Sequence, residues 1–194
     1  MIYTRNIRKA IKFAAKTHNH YQNQLRKGKR IPYITHPLTA GIILSLAGAS
    51  EDVITAGILH DTIEDSVEHK KVTVEMLAER FGSPVAGLVL SVTETDKTLS
   101  WDERKREALE HVARFSHDEL LLKSADVLSN ITELVDDHER YGDEAFSLFK
   151  ASKEKTIALH LKMITAILDP WPENPLADDL KHATDSLRTI GSEG

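Results

Sequence analysis

The sequence predicts an all-α protein, built as a single multi-helix bundle. Apolar residues recur at intervals of three and four positions through most of the chain. The alternation of apolar and polar residues that marks strands is almost absent. At 194 residues the chain lies within the range of one domain. We therefore expect one helical domain with its own hydrophobic core.

The composition excludes several classes of protein. Because the chain has no cysteine, it cannot form a disulfide framework or a thiolate metal site. The net charge of −5 and a single short basic run argue against a general nucleic-acid surface. There is no secretory signal pattern and no apolar run of about 18 residues. We expect a cytoplasmic protein with no nucleic-acid or membrane partner, as a monomer or an oligomer.

The first two helices flank a polar, cationic loop. Residues 5 to 18 form an amphipathic helix, and we expect His18 and His20 at its end to be solvated. After the loop, Pro37 suits the first position of a helix that runs to about Leu46. His36 would then lie in the extended position before that helix, with its imidazole free to point across the fold.

Residues 53 to 66 concentrate the polar groups with the most chemistry. A buried helix leads into His60 and Asp61, and Glu64 and Asp65 follow four positions later. Residues four apart lie one above the other on a helix, so these side chains share one end. Acidic groups there repel one another and oppose the helix dipole unless a cation binds. The pattern fits either a solvated acidic helix end or a divalent-metal site of imidazole and carboxylate ligands.

The later helices are marked by their caps. Ser50 and Thr73 are expected N-caps, and Ser83-Pro84 opens another helix. Capping-box sequences, Ser100 to Glu103 and Ser116 to Glu119, open two more. The second of these helices, about residues 118 to 137, carries a polar stripe of Lys123, Asp126, Asn130 and Glu133.

The end of the chain is expected to add one helix to the same domain. A long helix over residues 144 to 168 would complete the main domain, residues 1 to 168. A proline-rich linker starts at Asp169, and a weakly amphipathic helix, residues 176 to 190, follows it. We expect residues 169 to 194 to pack on the same domain, with the last helix docked loosely or frayed.

Four blocks of the chain resemble the HD-domain metal phosphohydrolases. The blocks are Arg26-Lys27 with residues 32 to 37, His60 to Asp65, Asp96-Lys97 with residues 103 to 106, and Lys123 to Asn130. Within that superfamily they are similar to the hydrolase domain of RelA/SpoT homologues, over about residues 7 to 143. No synthetase region follows, so the chain resembles the stand-alone small alarmone hydrolases. The resemblance implies an HD-type helical bundle that acts on a nucleotide.

The resemblance also implies a role for individual residues. The ligands of one Mn²⁺ would be His36, His60, Asp61 and Asp126. The groups that orient and activate the attacking water would be Glu64 and Asp65. The substrate contacts would be Asn130 on the sugar, Arg26 and Lys27 beside the base, and Lys97, Lys105 and Arg106 on phosphates. The implied reaction is attack at the ribose 3′ phosphorus of (p)ppGpp, which releases pyrophosphate and GDP or GTP.

Departures from the family pattern keep other substrates open. Val127 and Ser129 stand where many members have Arg and His, Ser66 replaces a frequent Thr, and residues 29 to 31 replace a glycine-containing turn. Hydrolysis of the adenosine analogue (p)ppApp and removal of the 2′ phosphate of NADPH are alternatives. A non-catalytic nucleotide-binding or antitoxin-like protein is another, although such a protein would be expected to lose Glu64 or Asp65. A hydrolase of ordinary nucleotides fits less well, because the blocks around Arg26 and Lys105 have no use there.

Overall fold

A computed structural model describes residues 3–94 and 98–192 of the chain. The helices are α1 (Arg5–Ala15), α2 (Thr35–Leu46), α3 (Glu51–Leu59), α4 (Thr62–Asp65), α5 (Val74–Phe81), α6 (Ser83–Val92), α7 (Trp101–Val112), α8 (His117–Tyr141), α9 (Lys153–Leu168) and α10 (Ala177–Ser192). Within the described residues there is no strand, only an isolated bridge between Leu25 and Pro32. The predicted all-α fold is confirmed. None of the helices in this part of the chain is both long and apolar enough to cross a membrane.

The core is organised around α3 and α8. Every residue of α3 from Val53 to Leu59 is buried, and the helix packs against α1, α2, α6 and α8. The buried face of α8 includes Leu122 and Ile131, both fully enclosed. Because α2 packs against both helices, it brings its first turn close to the end of α3 and the middle of α8. His36, His60 and Asp126 lie where these three helices meet.

The predicted caps are confirmed. Ser50 and Thr73 accept hydrogen bonds from the backbone N–H groups three residues later. Ser100 and Ser116 each form a complete capping box with the glutamate three residues on. A cap of this kind contributes about 1 kcal/mol to helix stability, so the starts of α7 and α8 are fixed locally.

Two predictions about histidine were wrong. Helix α1 continues as a π-helical segment, Lys16–His20, and this wider turn points His18 into the interior, where it is fully buried. Helix α2 begins at Thr35 rather than Pro37, so His36 lies inside the first turn and not in an extended position before it. Its backbone N–H bonds to the carbonyl of Tyr33 in a turn that leads directly into the helix.

Two predicted helices are interrupted. The stretch from residue 53 to 66 breaks at His60 and Asp61, and α4 is a separate short turn. The predicted helix over residues 144 to 168 is a 3-10 segment, Gly142–Leu148, followed by α9, which begins after the N-cap Ser152. Apolar spacing alone does not distinguish a continuous helix from two helical pieces that face the same core.

Helix α10 is packed firmly, contrary to the expectation that it frays. Leu180 and Leu187 are fully buried where α10 contacts α8 and α9. The linker before it is also tied down, because buried Asn174 donates a hydrogen bond of 2.9 Å to Ser124. Trp171 stacks on His117 at the start of α8, with ring centroids 4.2 Å apart.

We therefore expect Leu187→Ala to lower the free energy of unfolding by about 2–5 kcal/mol, the usual cost of truncating a fully buried leucine. Urea unfolding followed by circular dichroism measures this change. Arg188→Ala, next to it on the exposed face, is the matched control and should change the free energy by less than about 0.5 kcal/mol. Equal midpoints for the two variants would mean that α10 contributes little to the folded state.

Candidate active site

Two buried imidazoles face each other at the junction of α2, α3 and α8. His36 in α2 and His60 just after α3 have their Nε2 atoms 3.2 Å apart. The other ring nitrogen of His60 lies 2.7 Å from the carbonyl oxygen of Gly57, to which it donates. Nδ1 of His36 lies 3.0 Å from the hydroxyl of Ser129. These contacts fix both rings so that their Nε2 atoms point at a common position, as metal-ligating histidines do.

Two carboxylates complete the cluster. Oδ2 of Asp61 is 3.1 Å from Nε2 of His60 and 3.6 Å from Nε2 of His36. Oδ1 of Asp126, from the middle of α8, is 3.3 Å from Nε2 of His36 and 3.7 Å from Nε2 of His60. Donor atoms of His36, His60 and Asp126 all lie within 4.8 Å of one another. Two imidazoles and two carboxylates form a donor set that fits a divalent cation, and the break between α3 and α4 turns Asp61 toward it.

The electrostatics of the cluster favour this reading. Burial by itself would lower the pKa of His60, but Asp61, Asp126 and the bond to Gly57 outweigh it and raise the pKa to about 9. Burial would raise the pKa of both carboxyls, yet the imidazoles, and Lys123 in the case of Asp126, hold both pKa values below the usual range. A divalent cation binds neutral imidazole, so a cation bound here would take the place of the proton on His60.

Tyr33 orients one of the carboxylates. Its hydroxyl donates a hydrogen bond of 2.6 Å to Oδ2 of Asp61. Burial and the neighbouring carboxylates, Asp61 first and Asp65 second, raise the pKa of Tyr33, so the phenol stays protonated and remains a donor. Tyr33 belongs to the block before α2, but no spacing or motif in the sequence connects its hydroxyl with Asp61.

The short helix α4 places two more acids beside the cluster. Glu64 and Asp65 both line the cavity that contains the imidazoles. Oδ2 of Asp65 accepts a hydrogen bond of 2.8 Å from the side-chain amide of Gln24. Oε2 of Glu64 lies 3.4 Å from the backbone nitrogen of Glu94. Both carboxylates therefore lie at the cavity wall, outside the imidazole cluster.

The cavity has a volume of about 810 Å³ and a cationic side. Its wall includes the predicted substrate residues Arg26, Lys27, Lys105 and Asn130. Lys105 forms an ion pair with Glu94, and Nζ of Lys27 lies 4.7 Å from the ring centroid of Phe149. An open space of this size accommodates a nucleotide with several phosphates.

Arg26 is held in place by acceptors from α8. Its guanidinium donates to Glu133 at 2.8 Å and to the side-chain oxygen of Asn130 at 3.0 Å. The amide of Asn130 in turn donates to Asp126 at 2.8 Å. The polar stripe of α8 would be expected to face solvent, but it forms one wall of the site. Through Asn130 it links Arg26, which is predicted to lie beside the base, to Asp126 of the imidazole and carboxylate cluster.

The structure does not bring every predicted residue to the cavity. Arg106 lies on the exposed side of α7 and pairs with Glu110 at 3.0 Å, because its position on the helix turns it away from Arg104 and Lys105. Lys97 lies outside the described residues. Arg104, to which the family resemblance assigns no role, lines the cavity and pairs with Glu94 at 2.9 Å.

Two further residues of the wall were missed. Lys123 lines the cavity and donates to Asp126 at 2.8 Å, and its position three residues earlier on α8 was a usable signal. His160 of α9 also lines it. Burial, with Lys123 and Lys105 nearby and despite Asp126, lowers the pKa of His160 to about 4, so this ring is neutral at pH 7. Nothing in the α9 pattern separates His160 from its neighbours, since the helix reads as ordinary core.

The sequence model of the HD domain family matches residues 10–153, about three quarters of the chain. That range includes both imidazoles, both carboxylates of the cluster, and α4. The chain belongs to the HD domain family. The resemblance predicted from the four sequence blocks is therefore confirmed at the level of the family.

Several named hydrolases are similar in sequence to this chain. A guanosine-3′,5′-bis(diphosphate) 3′-pyrophosphohydrolase, MESH1, from Danio rerio is 40% identical over 126 residues, 64% of this chain and 66% of that protein. The Xenopus tropicalis MESH1 is also 40% identical, over 66% of this chain and 69% of that protein. The Aquifex aeolicus 3′-pyrophosphohydrolase of the same substrate is 34% identical over 68% of this chain, but that stretch is only 18% of its length. The matched part spans about two thirds of the length of the MESH1 proteins.

Two solved structures superpose on most of this chain. A metazoan ortholog of SpoT that hydrolyzes ppGpp superposes with a TM-score of 0.76 at 25% identity, covering 97% of both chains. The Listeria monocytogenes protein lmo0812 superposes with a TM-score of 0.70 at 31% identity and covers 82% of this chain. The first superposition extends into α10, which the HD family model does not reach.

Proposed function

We propose that this protein is a metal-dependent (p)ppGpp 3′-pyrophosphohydrolase that produces pyrophosphate and GDP or GTP. The observation that carries the proposal is the cluster of His36, His60, Asp61 and Asp126 beside Glu64 and Asp65, in a cavity with a cationic wall. Relatives that carry this activity in their names are 40% identical to this chain over about two thirds of its length.

We propose one Mn²⁺ per chain, held by His36, His60, Asp61 and Asp126. A mixed imidazole and carboxylate set without thiolates suits Mn²⁺ as well as other divalent ions. Bound there, the ion would supply Lewis-acid polarisation of the phosphoryl oxygen and a lowered pKa for water. Ser129, Gly57 and Tyr33 act on the ligands themselves, since each holds one ring or carboxylate in its orientation.

Glu64 and Asp65 act as the base. Each lines the cavity, and Asp65 lies one turn beyond Asp61, since its backbone N–H bonds to the Asp61 carbonyl at 2.9 Å. A carboxylate beside the proposed ligands is suited to orient the attacking water and to take its proton. The carboxylate takes the proton from this water as its oxygen attacks the 3′ phosphorus. The bond between this phosphorus and the ribose 3′ oxygen breaks, and the electron pair stays on the 3′ oxygen, which takes up a proton to become the 3′ hydroxyl of GDP or GTP. The attacked phosphorus, now bonded to the oxygen of the water, is released in the pyrophosphate.

The cationic wall binds the phosphates and offsets the charge that develops on them. Lys105 and Arg104 of α7 and Lys123 of α8 line this side of the cavity. We assign the sugar to Asn130 and the base to the side where Arg26 and Lys27 lie. Glu94 already neutralises part of the α7 charge, so phosphate binding competes with its ion pairs.

Hydrolysis of (p)ppApp is the second candidate. Val127, which replaces a frequent arginine of the family, lines the cavity, and an apolar residue there removes hydrogen-bond donors. Removal of the 2′ phosphate of NADPH would use the same ligands and base.

We also propose that residues 1 to 168 form the phosphohydrolase domain, that residues 169 to 194 belong to the same unit, and that the protein works in the cytoplasm.

Product analysis tests these proposals. Protein stripped of metal with a chelator and reloaded with Mn²⁺ is incubated with ppGpp, ppApp and NADPH in separate reactions, each with a metal-free control. We expect Mn²⁺-dependent release of pyrophosphate from ppGpp. A higher kcat/KM for ppApp would assign a role to Val127, and release of phosphate from NADPH alone would change the substrate. No turnover of any of the three would refute the proposed activity.

A further inference from the structure

Hydrogen bonds connect Asp65 to a series of side chains outside the imidazole and carboxylate cluster. Its Oδ2 accepts a hydrogen bond of 2.8 Å from Nε2 of Gln24. Oε1 of Gln24 lies 2.7 Å from Nδ1 of His18 and accepts at 3.1 Å from the amide of Gln22. That amide also donates to the backbone oxygen of Asp65 at 2.8 Å. Both the side chain and the backbone of Asp65 are therefore tied to residues 18 to 24.

The chemistry of these side chains decides which atom donates and which accepts in each hydrogen bond. An ionised carboxylate only accepts, so Gln24 must direct its NH₂ group at Asp65 and its oxygen at His18. Nδ1 of His18 must then carry the proton. Burial lowers the pKa of His18, although Gln24 and the carboxylates of Asp61 and Asp65 oppose it, and a neutral ring has one proton only. Nε2 of His18 is buried and has no hydrogen-bond partner among the described residues, which agrees with a ring used through Nδ1.

The backbone holds Gln24 as firmly as its side chain does. The N–H of Gln24 donates to the carbonyl of His18 at 2.8 Å, and its carbonyl accepts from Tyr33 at 2.8 Å. The π-helical segment is what brings His18 inward to meet it, and His18 is fully buried against the Tyr33 ring. A glutamine anchored at this number of points is a rigid support rather than a solvated loop residue.

We propose that Gln24, locked in one orientation by His18, is a positioning residue that aims the Asp65 carboxylate at the attacking water. The inference rests on the proposed function, since it assigns a support to the base of that reaction. With Oδ2 held by Gln24, the carboxylate has one orientation at the cavity wall. Without this bond the carboxylate rotates, and small errors in the placement of a reacting group are costly.

Variants of Gln24 test the positioning role. Gln24→Leu removes the donor at similar volume, and Gln24→Glu replaces it with an acceptor that repels Asp65. We expect kcat for ppGpp to fall roughly 10- to 100-fold in both, while KM and Mn²⁺ occupancy stay within about threefold. A loss expressed in KM or in metal content, or an unchanged kcat in both variants, would overturn the inference.

Variants of His18 test the lock. His18→Leu removes the donor, whereas His18→Asn places an amide N–H where Nδ1 stood. The leucine variant should lose kcat as Gln24→Leu does, and the asparagine variant should recover to within about fivefold of the wild type. His20→Gln, on the exposed side of the same segment, is the matched control. Equal loss in the leucine and asparagine variants would mean that His18 only fills space.

A readout without substrate separates this inference from the proposed function. The ¹⁵N chemical shifts of His18 should report a neutral ring protonated on Nδ1, and Gln24→Leu should change them. A ring protonated on Nε2 would overturn the inference even in an active enzyme. A wild type inactive on ppGpp would instead refute the proposed function, while the shifts would still decide how Gln24 is oriented.

Discussion

Replacing His60 by alanine is expected to abolish stoichiometric binding of a divalent cation and, with it, turnover. His60 supplies one of four proposed ligand atoms, and its Nε2 is 3.1 Å from Asp61 and 3.2 Å from the Nε2 of His36. Losing a supporting contact to a ligand already costs about 10- to 100-fold in affinity, so losing a ligand should cost at least that much. Metal per chain, measured by mass spectrometry after dialysis against micromolar Mn²⁺, gives the result directly.

The matched control is His69→Ala, because His69 is exposed and is not one of the clustered residues. It should bind metal like the wild type. His60 also donates to the carbonyl of Gly57, so circular dichroism and an unfolding midpoint show whether the variant is folded before its metal content is interpreted. A folded His60→Ala protein with normal occupancy would remove His60 from the ligand set.

The helices that could be predicted from the sequence are those that local chemistry specifies. Capping boxes at Ser100 and Ser116, and N-caps at Ser50 and Thr73, lie where the sequence predicts them. The errors lie where tertiary contacts override local preference. The break at His60, the π-helical turn around His18 and the firm packing of α10 all depend on what the segment packs against, and periodicity does not contain that information.

The residues of the site also differ in how well the sequence predicts them. His36, His60, Asp61 and Asp126 come from three separate segments, and the resemblance to the HD-domain family grouped them before any distance was known. The cationic wall of the cavity was predicted less well. Arg104 and Arg106 are equivalent cations in the sequence, yet only Arg104 faces the cavity. His160 enters from α9, for which neither a motif nor a spacing gave a signal.

Asp65→Asn separates the chemical step from metal binding. Asparagine has the shape of aspartate, and its side-chain oxygen can still accept from Nε2 of Gln24, so α4 should be undisturbed. The amide cannot take a proton from water. We therefore expect Mn²⁺ occupancy to stay at the wild-type value while kcat on ppGpp falls roughly 10²- to 10⁴-fold, the usual contribution of general base catalysis. Single-turnover release of pyrophosphate, with metal content measured on the same sample, checks both parts.

Glu68→Gln makes the same chemical change at an exposed acid three residues later and should leave kcat unchanged. The comparison of Asp65→Asn with His60→Ala separates metal binding from the reaction. His60→Ala should lose the ion, whereas Asp65→Asn should keep the ion and lose only turnover. If Asp65→Asn retained full activity, its assigned role would be refuted and Glu64, the other acid of α4 at the cavity wall, would be the remaining base. Glu64→Gln would then have to show the loss that Asp65→Asn did not.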